Sequence, residues 1–147
     1  MTNETLHTLE TRRSCRAYKP EQITKEELEA VLRAGTFAPS AMNRQSAKIV
    51  VVQDAETRAQ LTRMNAAVMG NTGDPMYGAP TILVVLADAN AKCAVQDGSL
   101  VMGNLMLAAA SLGAGQLLDQ PCPGGVRLRR GQALLQKVGA SRATGSA

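Results

Sequence analysis

Hydrophobic positions recur at helical spacing over much of this chain and run together in two short stretches. Leu6 and Leu9 share one face of the polar segment TNETLHTLETRRS, which predicts a short opening helix. The segment ITKEELEAVLRAG carries a stronger signal. Thr24 and Glu27 have the spacing of a capping box, Ile23 can staple onto Leu28, and Leu28, Val31 and Leu32 form a stripe that Gly35 can end. KIVVVQ, residues 48–53, has the unbroken apolar run of a buried strand, after which Asp54 can cap a helix with Leu61, Met64 and Val68 on one side. MGNTGDPMYGAP, residues 69–80, is rich in Gly and Pro and predicts a loop, and TILVVLAD, residues 81–88, predicts a second buried strand. DGSLVMGNLMLAAASLG, residues 97–113, is apolar nearly all round and predicts a helix buried on most faces. Helices thus alternate with a few strands, without a repeat or a low-complexity segment, as in a mixed α/β layout of one domain.

Composition narrows this picture. A chain of 147 residues with 45% apolar and only 2% aromatic residues, and no Trp, must build an aliphatic core of Ala, Leu, Val and Met. The N-terminus is polar and acidic rather than basic and then apolar, so no signal peptide is expected, and no segment has membrane-spanning length. Cys15, Cys93 and Cys122 are odd in number and form no CxxC, which points to a reducing cytoplasm and no zinc or other metal site. The net charge of +4 suggests nucleic acid until its location is considered. Residues 1–115 hold 11 Lys/Arg and 11 Asp/Glu, whereas residues 116–147 hold five basic groups against Asp119 alone. The body is neutral, and no nucleic-acid partner is expected.

Two stretches carry more polar specificity than a core requires. Arg12, Arg13, Ser14 and Arg16 place three guanidinium groups and a hydroxyl within five residues, and guanidinium forks suit phosphate oxygens. The competing reading is a solvated basic turn. In FAPSAMNRQSAKIVVV, Pro39, Ser40, Asn43 and Gln45 lead straight into the first strand. Amide side chains donate and accept at fixed angles, as recognition of a heteroaromatic edge requires. The competing reading here is a helix stop followed by an Asx-type turn. His7 sits on a polar helix face, where it is expected to be solvated. Gly113 and Gly115 lie at a helix end, whereas a dinucleotide fingerprint needs its glycines between a strand and the helix it enters.

Taken together, RRSCRAY at 12–18 and APSAMNRQ at 38–45, followed by YGAPTILVVLAD and DGSLVMGNLMLAAASLG, resemble the FMN-dependent nitroreductase family over residues 10–115. The family pattern is Arg-Arg-Ser-x-Arg-x-Tyr, a capped helix, Ala-Pro-Ser-Ala-x-Asn-x-Gln and a hydrophobic strand. One departure is Ser46-Ala47-Lys48, where the family usually has Pro and an aromatic residue. The resemblance implies an α+β fold of three layers, a mixed sheet flanked by helices, incomplete at its C-terminus. It further implies a homodimer with FMN at the subunit interface and NAD(P)H as electron donor. The function implied is hydride transfer through flavin N5 to a small-molecule acceptor such as a nitroaromatic or a quinone. By motif match, Arg12, Arg13, Ser14 and Arg16 hold the FMN phosphate and ribityl chain. Pro39, Ser40, Asn43 and Gln45 reach the ring, largely from the partner subunit, and Asn71 is a candidate for the ring's polar edge. No side chain is expected as catalytic nucleophile or base, because the cofactor carries the chemistry.

The family-like pattern covers residues 1–115 and gives way to an aberrant stretch over 116–147, expected to be irregular apart from a short helix near 131–139. With one plausible choice of synonymous codons, residues 115–131 read one base later give Gly-Ser-Cys-Trp-Ile-Asn-Arg-Ala-Arg-Glu-Val-Phe-Ala-Ser-Glu-Glu, which resembles the family's next strand, turn and helix. Two explanations follow: a frameshifted, truncated product, or a natural short variant with a new tail. Both leave the family's third strand unrecognisable and its final strand and C-terminal extension missing. The alternative function is therefore a non-catalytic flavin-binding remnant or an inactive fragment.

Overall fold

The computed structural model of the chain describes residues 2–70, 72–88 and 90–118. In order these form α1 (Glu4–Thr11), α2 (Lys25–Thr36), a 3₁₀ turn (Ala41–Asn43), β1 (Lys48–Val52), α3 (Ala55–Val68), β2 (Ile82–Leu86) and α4 (Ala94–Ser111). Side-chain caps start three of the helices. Asn3 Oδ1 accepts from Leu6 N in α1, Thr24 and Glu27 make the full capping box in α2, and Asp54 accepts from Thr57 N in α3. The Thr24 hydroxyl and amide hold the Glu27 carboxyl below its usual range, and Thr57 does the same for Asp54.

β1 and β2 pair antiparallel, with Lys48 opposite Leu86 and Val52 opposite Ile82. The core lies between this ribbon, α2 and α4. Val31, Ala38, Val101, Leu105 and Ala109 are buried together, and Ala47, Ile49, Leu83 and Val85 pack onto them from the ribbon and its approach. Asn104 Nδ2 donates to the Ala34 carbonyl at 3.0 Å and ties the end of α2 to α4. A polar cluster of Gln22, Gln53 and Thr81 closes the other end of the ribbon, with Gln22 Nε2 donating to the Pro80 carbonyl at 2.8 Å.

Several sequence expectations need correction. Gly35 does not stop α2; it lies buried within it, because a Cβ there would stand 2.7 Å from both Ile49 Cδ1 and Leu105 Cδ2. Its lack of a side chain admits α4. The last helix begins at Ala94 and ends at Ser111, and it buries only the stripe Asp97, Val101, Leu105 and Ala109. Spacing of four puts these on one face, and the apolar residues of the other faces are left half-buried or exposed in the single chain. The strands are half-buried apart from buried Val52 and Ile82 and exposed Lys48, and Leu6, Leu9 and Val68 are exposed rather than packed inward. α4 closes with a Schellman motif. Gly113 adopts φ +74°, its N–H donates to the Ala110 carbonyl, and Ala114 N donates to Ala109. The expected helix near 131–139 and the rest of the tail beyond Leu118 fall outside the described residues.

Candidate functional site

Two clusters hold the polar residues singled out by sequence. The first follows α1. Arg12 ends the helix, its N–H donating to the Thr8 carbonyl, and the chain then runs extended through Ser14. Ser14 pairs with Gln116 as an isolated parallel bridge, and Cys15 N donates to the Gln116 carbonyl at 2.9 Å. Gln116, beyond the family-like pattern in sequence, is thus the residue that holds the arginine strand. Gly115 permits the approach, since a Cβ there would stand 2.9 Å from Cys15 Sγ. The Tyr18 hydroxyl donates to the Cys15 carbonyl at 3.0 Å and shapes the turn beyond. Burial raises the Tyr18 phenol above its ordinary value, the Cys15 thiol adds to this and Arg16 opposes it, so the phenol stays protonated as a donor at neutral pH.

Arg13 and Arg12 differ in their partners. Arg13 Nη1 donates to the carbonyls of Glu10 at 2.8 Å and Arg12 at 2.9 Å. Arg12 Nη1 is buried and has no hydrogen-bond partner among the described residues, and the same holds for Gln116 Oε1 and Ser46 Oγ. Among those residues the only ion pair is Lys25 with Glu29, so no carboxylate neutralises Arg12, Arg13 or Arg16. A buried guanidinium nitrogen without a partner is costly. In a segment that carries two further arginines, Arg13 and Arg16, it fits an anionic group such as a phosphate.

The second cluster is the loop between α2 and β1. Met42, Asn43 and Gln45 all adopt left-handed φ, at +55°, +53° and +51°. For residues other than Gly this costs on the order of 1–2 kcal/mol each, and such strain persists only where the surroundings impose it. Besides the turn's own backbone bonds, Asn43 N to the Ser40 carbonyl and Arg44 N to the Ala41 carbonyl, two side chains brace it. Ser40 Oγ accepts from Gln45 N at 2.8 Å, and Asp97 Oδ1 accepts from Ala41 N at 2.9 Å. Gln45 Nε2 also donates to Asn43 Oδ1 at 3.2 Å. Asn43 Nδ2 and Gln45 Oε1 are left as one donor and one acceptor without a partner among the described residues, a complementary pair for a heteroaromatic edge. Exposed apolar surface flanks the loop, with Phe37 73% and Met42 83% exposed and the Arg33 guanidinium 5.8 Å from the Phe37 ring.

The structure therefore joins Arg13, Ser14 and Cys15 through Gln116, with Arg12 just before them, and Ser40, Asn43 and Gln45 with one another. Pro39 is exposed at the loop's entry and Arg16 is exposed beyond the bridge. No hydrogen bond links the two clusters among the described residues, and Asn71 lies outside them. His7 is exposed, as expected. Sequence reasoning missed Asp97 and Gln116. Neither carries a local signal except that Asp97 is the lone charged residue of α4.

Comparison with known proteins places the chain in a family. The nitroreductase family model matches residues 9–72, the range that holds the arginine segment and the 39–45 loop. A nitroreductase with bound FMN from Desulfitobacterium hafniense is 32% identical, covers 77% of this chain and 68% of its own length, and superposes with a TM-score of 0.70. A nitroreductase with bound FMN from Bacteroides fragilis is 29% identical over 94% of this chain and 81% of that one, with a TM-score of 0.84. Among curated proteins, an Archaeoglobus fulgidus protein named as a candidate NADH dehydrogenase/NAD(P)H nitroreductase is 37% identical over 78% of this chain. The FMN reductase [NAD(P)H] of Bacillus subtilis is 33% identical over 65% of it. This chain belongs to the nitroreductase family and has its α+β fold. It spans 66% of the Archaeoglobus protein's length and 36% of the Bacillus protein's. No helix among the described residues is long and apolar enough to cross a membrane.

Proposed function

We propose that the chain is an FMN-dependent NAD(P)H oxidoreductase of nitroreductase type, working as a homodimer and reducing a nitroaromatic, a quinone or a similar small acceptor. The observation that carries this reading is the partnerless, buried Arg12 Nη1 in a three-arginine segment that no described carboxylate neutralises. A phosphate monoester supplies the missing acceptor. When bound, FMN supplies the hydride chemistry, taking reducing equivalents from NAD(P)H and delivering them to the second substrate.

The protein's own contribution is binding and orientation. Arg12, Arg13 and Arg16 neutralise the phosphate, and the Ser14 hydroxyl donates to it or to the ribityl chain. Gln116 keeps the arginine strand extended through its carbonyl. Pro39, Ser40, Asn43 and Gln45, with Asn71, contact the ring across the subunit interface. The Ser40 oxygen already accepts from Gln45 N, so its proton is free to donate. The exposed Phe37 and Met42 are covered by the partner subunit or the ring, which keeps water from the reacting face.

The rival reading, a flavin-binding remnant without turnover, draws on the chain's partial span of its curated relatives. Mixing the FMN-loaded chain with NADH or NADPH without oxygen separates the two. Bleaching of the flavin absorbance, reversed by a quinone or a nitroaromatic, is the expected result. Bound flavin that neither nicotinamide bleaches leaves the remnant reading standing.

A further inference from the structure

Asp97 is the one charged residue in the buried core of the described chain, 4% exposed in the first turn of α4. A buried carboxylate needs donors to compensate for the water it has lost. The helix N-terminus supplies a favourable field, and Ala41 N supplies a direct bond of 2.9 Å from 56 residues away in sequence. Ala41 opens the 3₁₀ turn, and the next residues include three with left-handed backbones. Ser40 Oγ fixes the far end of the same turn through Gln45 N. Without the Asp97 bond, the turn keeps its internal bonds, among them Asn43 N to the Ser40 carbonyl and Arg44 N to the Ala41 carbonyl, but loses the hydrogen bond that ties it to α4. Ala38, just before the loop, is buried against Val101 and Leu105, so α4 fixes both the loop's stem and its first exposed turn.

We propose that Asp97 is a positioning residue: from the start of α4 it locks the 39–45 loop in the strained conformation that presents Ser40, Asn43 and Gln45 to a ligand. That the ligand is the flavin ring rests on the function proposed above, whereas the locking itself does not. Asp97 touches no reacting atom in this role. Its effect on ring binding is separable from the phosphate anchor at Arg12.

Amide hydrogen exchange on the flavin-free full chain tests the lock directly. In the wild-type protein the Ala41 amide should be protected to the same degree as the first turn of α4, because the two open together. An Ala41 amide that exchanges as fast as an open loop overturns the proposal without any variant. In Asp97→Ala the Ala41–Gln45 amides should exchange about tenfold faster or more, the effect of losing one net hydrogen bond, while the amides of Val101 to Ala109 stay protected. Asp97→Asn keeps a carbonyl oxygen as acceptor and should restore near wild-type exchange. Equal acceleration along the whole of α4, or failure of Asn to rescue, marks a general stability role and overturns the proposal.

Flavin titration adds a second readout. Asp97→Ala should weaken FMN and riboflavin by the same factor, leaving their ratio unchanged. Loss of FMN binding alone contradicts positioning of the ring loop. A wild-type chain that binds neither flavin refutes the cofactor assignment, and the exchange measurement still decides the role of Asp97.

Discussion

At the scale of single residues, Arg13 commits Nη1 to two carbonyls at the end of α1, while Arg12 keeps a buried Nη1 with no partner among the described residues. Their substitutions should separate stability from binding. Arg12→Met removes an unsatisfied donor, so the flavin-free Tm should hold or rise while FMN binding weakens by about 1.5–3 kcal/mol, the range for a charge-assisted hydrogen bond. Arg13→Ala removes a clamp on the helix end and should lower both Tm and affinity. Thermal melts with and without FMN read the difference, and equal Tm losses for the two variants contradict it. The arginine run is legible in sequence because guanidiniums without nearby acids are a property of the string itself. Asp97 and Gln116 are not, since the bonds that give them meaning span 56 residues in one case and join Cys15 to Gln116 in the other.

Among the elements, the contact of α2 with α4 and β1 sets the geometry of the ring loop, and it turns on Gly35. Gly35→Ala would place a methyl 2.7 Å from Ile49 Cδ1 and Leu105 Cδ2. Overpacking of this kind costs about 1–3 kcal/mol, so the denaturation midpoint should fall despite the better helix propensity of Ala. A stabilised variant in urea titration contradicts the close approach. Local rules locate these elements well. Thr24 and Asp54 cap where the sequence places them, and the described residues of the 69–80 stretch form neither helix nor strand. They misread Gly35 because a glycine after an apolar stripe looks like a stop, and only the neighbouring helix shows that it is a point of contact. They overstate the burial of residues 97–113 for a related reason: hydrophobicity all round a helix says that it will be covered, not that one chain covers it.

At the scale of the whole molecule, the described residues leave apolar side chains exposed. Leu6, Leu9, Phe37, Met42, Val95, Leu100 and Leu112 are exposed, and large apolar side chains open to water favour association with a partner surface. Sedimentation of the full chain should therefore show a dimer or larger species, and a clean monomer at about ten micromolar or above, in the range where exposed apolar surface drives association, removes the two-subunit ring site. The central claim is that a phosphate anchors the ligand at Arg12, and calorimetric titration of the full chain with FMN and with riboflavin, which differ only in that group, tests it most directly. FMN should bind more tightly than riboflavin by about tenfold or more, the worth of one or more charge-assisted hydrogen bonds, and Arg12→Met should erase most of that margin. Equal affinities for the two flavins in the wild-type chain contradict it.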